Sequence, residues 1–144
     1  MNWKIFLGIV VATAILGALW YGVSPIFMTE RVVDSAPVSS NVLSARAPVI
    51  GTTGHPAEGT AHVFEAEGKR FVRYEDFETL NGPDLFVYLA KDLDAKEFVD
   101  LGRLRATEGS VNYEIPEGID PSEYPYVLTW CRAFGVLFNS AKVY

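Results

Sequence analysis

An all-β domain, an antiparallel β-sandwich or barrel-like fold of about seven or eight short strands behind one N-terminal transmembrane helix, is the fold class that this sequence predicts. Three observations carry the prediction. A single uncharged apolar stretch occupies the N-terminal region. Beyond Gly51, short runs of alternating or continuous apolar residues follow one another closely. Turn-forming residues separate those runs: Glu67-Gly68, Asn81-Gly82-Pro83-Asp84, Glu108-Gly109, and Pro116, Pro121 and Pro125.

The apolar stretch, Ile5 to Val23, is nineteen residues without a charge. As a helix rising about 1.5 Å per residue it nearly crosses a hydrocarbon core of roughly 30 Å. Trp3 stands at one end and Trp20 and Tyr21 at the other, where amphipathic rings suit the membrane interface. Lys4 and the amino terminus precede it, so the positive-inside tendency places the N-terminus in the cytoplasm and the remainder outside. A cleaved signal peptide fits less well, because its apolar core is usually about 7–15 residues and ends at a small-x-small site. A lipoprotein anchor does not fit, since no cysteine stands at the end of the run to carry the lipid.

Residues 24–50 read as an extracytoplasmic tether containing Pro25, Pro37 and Pro48 and a polar patch at Ser39-Ser40-Asn41. Residues 51–144 read as the β domain. Gly51 to Gly59, with Gly54, His55 and Pro56, is a loop. Thr60 to Ala66 and Lys69 to Tyr74 form a hairpin across Glu67-Gly68. Leu85 to Ala90 is continuously apolar and therefore a central strand. Lys91 to Asp100 is charged, with a short helical turn that points Phe98 and Val99 inward. Leu101 to Arg105 and Val111 to Ile115 alternate. Tyr126 to Cys131 is apolar on both faces, with Val127, Thr129 and Cys131 on one and Tyr126, Leu128 and Trp130 on the other. After a break at Arg132-Ala133, Phe134 to Phe138 is the last strand.

From Pro48 onward, sixteen Asp and Glu stand against nine Lys and Arg. Such a surface repels phosphates and anionic lipid heads, so nucleic acid is not an expected partner. One cysteine forms no internal disulfide. Cys131 is therefore either a reactive group or core filling. Arg132 beside it would favour the thiolate, but neighbouring strand residues face opposite sides.

His55 and His62 are the only histidines. With Cys131 they would supply three ligands for zinc or copper, but their spacing enforces no such site, and no metal ligand set is assigned. Without Cys-x-x-Cys-His a covalent c-type haem is excluded, and the cofactor stays unnamed. Asp92, Asp94, Glu97 and Asp100 lack the glycine and terminal glutamate of an EF-hand and read as solvated surface. The absence of a phosphate-cradling glycine loop and of a nucleophile elbow argues against a hydrolase.

Five segments occur in an order that resembles the DM-thirteen (electron-transfer DM) domain family, of Skeletor-type proteins and many microbial surface proteins. They are Phe77 with Asn81-Gly82-Pro83-Asp84-Leu85-Phe86-Val87-Tyr88-Leu89; Asp100-Leu101-Gly102-Arg103-Leu104; Gly109-Ser110-Val111-Asn112-Tyr113-Glu114-Ile115-Pro116; Trp130-Cys131-Arg132-Ala133-Phe134; and Phe138 with Ala141. The resemblance spans about Gly51 to Tyr144. It implies a β-rich domain related in context to extracellular redox proteins, with the characteristic cysteine at Cys131 as a redox centre. The matching motifs at Gly82, Pro83, Asp84, Asn112 and Tyr113 either frame a site near that cysteine or fix turns. The expectation is a membrane-anchored redox or electron-transfer domain in which Cys131 reacts and Asp84, Asn112, Tyr113 and Trp130 shape its pocket. Lacking an internal resolving thiol, it needs an outside redox partner protein or a bound cofactor. The alternative is a non-enzymatic cell-surface binding module with Cys131 as buried core.

Overall fold

A computed structural model describes residues 2–24, 28–36 and 40–144. Its N-terminal helix α1, Trp3–Val23, has no buried residue and is apolar on every side. A helix of that kind suits an apolar surrounding rather than water. The Thr13 hydroxyl is satisfied locally, Oγ1 donating to the Ile9 carbonyl at 2.8 Å. α1 is long and apolar enough to cross a membrane.

Eleven strands follow: β1 Arg31–Val33, β2 Asn41–Val42, β3 Ala47–Pro48, β4 Ile50–Gly51, β5 Ala57–Ala66, β6 Lys69–Thr79, β7 Leu85–Ala90, β8 Phe98–Arg103, β9 Glu108–Ile115, β10 Tyr126–Cys131 and β11 Val136–Lys142. They form two sheets. One runs β1-β9-β6-β5-β2, with β3 also paired to β5, and the other runs β4-β11-β10-β7-β8. All pairs are antiparallel except β1 with β9. The class is all-β, as the sequence predicts, with more strands than expected.

Three of the additional strands come from the segment expected to be a tether. Val32 lies opposite Gly109, Val42 opposite Phe64, and Ala47 opposite Ala61. The Asp34 carboxylate accepts from the Asn112 amide at 2.9 Å and pairs with Arg105 at 3.1 Å, so residues 28–36 are held to the domain by side chains as well as backbone. Pro25, Pro37 and Ser39, which belonged to the tether reading, lie outside the described residues.

Local chemistry explains the longer strands. Glu67 and Gly68 have φ of 53° and 74°, the paired positive values of a two-residue hairpin turn matched to strand twist. β6 runs beyond Tyr74 to Thr79 because an irregularity at Glu75-Asp76 lets pairing resume. β8 begins at Phe98 rather than Leu101. Phe98 does not point into the core but stacks on Tyr88 at 4.1 Å on the outer face. The last strand starts at Val136, because Arg132 to Gly135 are spent on the turn.

Alternation packs the two sheets together. Val63, Val72, Tyr74, Val111, Tyr113 and Ile115 from one sheet meet Val87, Leu89, Val127 and Ala141 from the other, all buried. Behind the second sheet, Tyr88, Ala90 and Leu128 form a separate layer with Trp130 and Leu137. The strand Tyr126–Cys131 is therefore covered on both faces.

Candidate functional site

Cys131 ends β10 on the core face, opposite Leu85 of β7 and Val136 of β11. It is 0% exposed and packs with Leu85 and Phe138, against which Leu104 rests. Phe138 owes its position to a register shift. Thr129 faces Asn139 but Trp130 faces Leu137, so Phe138 is the unmatched residue of a β-bulge.

Two loops close over this layer. In the Asn81-Gly82-Pro83-Asp84 loop, a Cβ on Gly82 would lie 3.1 Å from both Leu85 Cδ2 and Phe138 Cζ, so the glycine permits the loop to settle on those side chains. Asn81 fixes the loop: its Oδ1 accepts from the Gly82 amide at 2.8 Å and its Nδ2 donates to the Met28 carbonyl at 3.0 Å. The second loop is the turn from Thr52 to His55. The Thr52 amide donates to the Phe138 carbonyl at 3.0 Å, and the His55 ring stacks on Phe138 with centroids 3.9 Å apart.

Between these loops and the β10–β11 turn lies a groove of about 300 Å³, walled by His55, Gly82, Pro83, Phe134, Val136 and Phe138. Phe134 is 63% exposed at its rim. Phe138 is thus shared: one side forms groove wall, the other packs on Cys131. A larger depression of about 420 Å³ at the opposite end is lined by Lys69, Arg70, Glu114, Glu117 and Asp120. There Lys69 is bonded to Glu114 at 2.9 Å, and none of the motif residues named for the cysteine site takes part.

The structure does not gather the five expected site residues around one pocket. Asp84 and Trp130 flank Cys131 along the paired strands but turn away from the sulfur. Asp84 Oδ1 bonds Arg103 at 2.7 Å, and Trp130 lies in the outer layer with Tyr88 and Leu128. Arg132 also faces outward, so it is no partner for a thiolate. Its Nε donates to Tyr88 Oη at 2.6 Å, its guanidinium lies 3.5 Å over Phe86, and Asp100 pairs with its far end. Only its amide touches the motif loop, donating to the Asp84 carbonyl at 3.0 Å.

Asn112 and Tyr113 belong to the other sheet and point in opposite directions. Asn112 Oδ1 accepts from Arg73 Nη1 at 2.8 Å on the outer face. Tyr113 is in the core, its hydroxyl accepting from the Arg105 amide at 2.9 Å. Burial pushes its hydroxyl up to about 12, so it stays protonated at physiological pH. These two residues position the loop carrying Arg105 and the segment around Asp34; neither belongs to the layer that packs on the sulfur.

The groove's principal polar wall, His55, has a sequence signal only in its glycine-proline setting. Its distance from Phe138 depends on β4 pairing with β11, which nothing local encodes. His62 lies on the outer face of the first sheet, so the histidines and Cys131 do not converge. Among the described residues no cluster of three or more His, Cys, Asp and Glu side chains is placed to hold a metal ion.

The fold and site define an antiparallel β-sandwich domain with one buried thiol under an apolar groove, carried behind a helix able to cross a membrane. A family profile described as electron transfer DM13 matches residues 50–143, and the chain belongs to that family. Neither a curated protein nor a solved structure matches it.

Proposed function

We propose that this chain is a membrane-held electron-transfer domain with Cys131 as its redox group and the groove above it as the place where its partner engages. α1 anchors it with Lys4 on the cytoplasmic side, leaving the β domain extracytoplasmic. The observation that supports this most is the convergence of the Asn-Gly-Pro-Asp and Trp-Cys-Arg-Ala-Phe segments on the one layer of Leu85, Cys131 and Phe138. A lone thiol turns over only with an outside partner. Written as exchange, the Cys131 thiolate attacks a disulfide of the partner, forming a mixed disulfide and releasing one partner thiol; a second thiol then attacks that mixed disulfide, which frees Cys131 and leaves the second thiol in a new disulfide.

A second reading has its own support. Zero exposure suits a cysteine that fills the core of a binding module. Alkylation of the full chain in nanodiscs separates the two. Under the redox reading, Cys131 reacts with iodoacetamide through a local opening, at a rate that low urea does not change. Reaction only in proportion to global unfolding would exclude that reading and leave the binding module.

A further inference from the structure

The C-terminal end of α1 and the groove lie at the same end of the domain. Val23 closes α1, and Met28, five residues later, is the residue whose carbonyl Asn81 holds. Five residues reach at most roughly 18 Å, so Met28 stays within that distance of the helix end and keeps the Asn81-Gly82-Pro83 loop near it. Gly22 itself borders the groove.

The groove's lining carries no Asp, Glu, Lys or Arg side chain, although the domain is strongly acidic. Its occupant is therefore uncharged and largely apolar. Its polar atoms are few, and their bonding can be followed. Thr52 Oγ1 has one hydrogen and lies 2.9 Å from the Leu137 carbonyl and 3.1 Å from that of Phe138. Carbonyls only accept, so the hydroxyl donates to them. The contact of 3.1 Å between Thr52 Oγ1 and His55 Nδ1 then has the histidine as donor. The neutral ring carries its proton on Nδ1, and Nε2 is left as an acceptor without a partner among the described residues. Asn81 is engaged through both its oxygen and its nitrogen. The groove therefore offers aromatic and proline walls and, at His55 Nε2, a ring acceptor that no described residue engages.

We propose that this groove binds the hydroxylated ring of a neutral, membrane-dissolved aromatic molecule, of the phenol or hydroquinone class, with the ring against Phe134 and Pro83 and its O–H donated to His55 Nε2. The inference rests on the reading of the groove as the partner site and of α1 as a membrane span, and it names the ligand class of that site.

Two probes of nearly equal bulk test it: 4-hexylphenol and its methyl ether, which lacks the donor. Binding to the full chain in nanodiscs is measured against partition into empty nanodiscs, with the ¹⁵N shifts of His55 as a second readout. Saturable binding is expected, with the phenol held about fivefold more tightly, the worth of one neutral hydrogen bond, and with the Nε2 resonance moving. His55→Phe keeps a ring on Phe138 but no acceptor, and should remove the preference. Phe134→Ala should weaken both probes alike. Equal binding of phenol and ether by the unaltered chain, or no saturable binding, overturns the proposal without reference to any variant. Cys131 alkylation on the same sample keeps the two readings apart. A phenol preference beside an unreactive thiol sinks the redox role alone, and a reactive thiol without the preference sinks only the ligand class.

Discussion

His62 makes the stability of this domain depend on pH in a direction that can be worked from its surroundings. It sits on β5, 3% exposed, and its Nδ1 has no hydrogen-bond partner among the described residues. Burial disfavours the charged ring, and the nearby cations Arg46 and Arg73 disfavour it further, lowering its pKa from 6.5 to about 4. Glu75, 3.9 Å from Nδ1, would favour the charged ring, but its carboxylate is already shared between Arg73 and Arg46. The folded protein thus binds this proton more weakly than the unfolded chain. Between pH 6.5 and pH 4 the unfolded state carries the extra proton, so stability rises with pH. The contribution is complete above pH 6.5 and is lost as pH falls toward 4. With those two values, lowering pH from 7 to 5 removes about 2 kcal/mol. The assay is urea unfolding of the full chain in micelles at both pH values, for the unaltered protein and for His62→Leu. The leucine variant lacks the titrating ring and should lose about 2 kcal/mol less over that interval. An identical pH dependence in the two proteins would refute the argument that His62 is buried in its neutral form.

Two backbone positions give sharper structural outcomes. Gly109 has φ of 118°, and a Cβ there would lie 2.1 Å from the Val32 carbonyl oxygen. Gly109→Ala is expected to cost about 2–3 kcal/mol and to release β1 from β9. Hydrogen exchange should then quicken at the amides of Asp34 and Thr107, which are bonded to Ser110 and Glu30, and unchanged protection there would contradict the account. Gly82→Ala pushes a methyl group against Leu85 and Phe138 at a cost of about 1–2 kcal/mol. If that loop closes the layer over Cys131, alkylation of the folded protein should accelerate; an unaltered rate would place the opening elsewhere.

Legibility in the sequence followed the range of the determining contacts. The β5–β6 hairpin was readable because Glu67-Gly68 fixes its turn locally, and Leu85–Ala90 and Tyr126–Cys131 because strands covered on both faces are apolar throughout. β1, β2 and β3 were not readable. Each is two or three residues long, and their pairing depends on Gly109, Phe64 and Ala61, many residues away. At the site, the motifs around Gly82 and Cys131 were visible as motifs, and β7–β10 pairing brings them together. Asn112 and Tyr113 join the expected site only because the family resemblance includes their motif. Adjacency in a strand sends side chains to opposite faces, and their strand belongs to the other sheet. Phe138 and His55 gain their roles from a bulge and a β4–β11 pairing that no local pattern announces.

Whether a buried thiol can serve electron transfer depends on what must move to expose it. Behind Cys131 the core is tied across the two sheets: Tyr74 Oη and Thr129 Oγ1 share a hydrogen bond of 3.2 Å, and Asn139 Nδ2 donates to Thr79 Oγ1 at 3.1 Å. In front of it stands Phe138, which holds the unmatched position of the bulge. A bulge interrupts the ladder locally, so the side chain it carries is held more by packing than by strand pairing on β10. That packing comes from the His55 ring and the Gly82 loop, both on surface turns. Surface turns open at lower free energy than core strands do. The proposed redox role requires that displacing His55 and the loop lets Phe138 move into the groove and uncover the sulfur while the Tyr74–Thr129 and Asn139–Thr79 bonds remain intact. Burial and reactivity are then compatible, on the condition that the groove's occupant or partner performs that displacement.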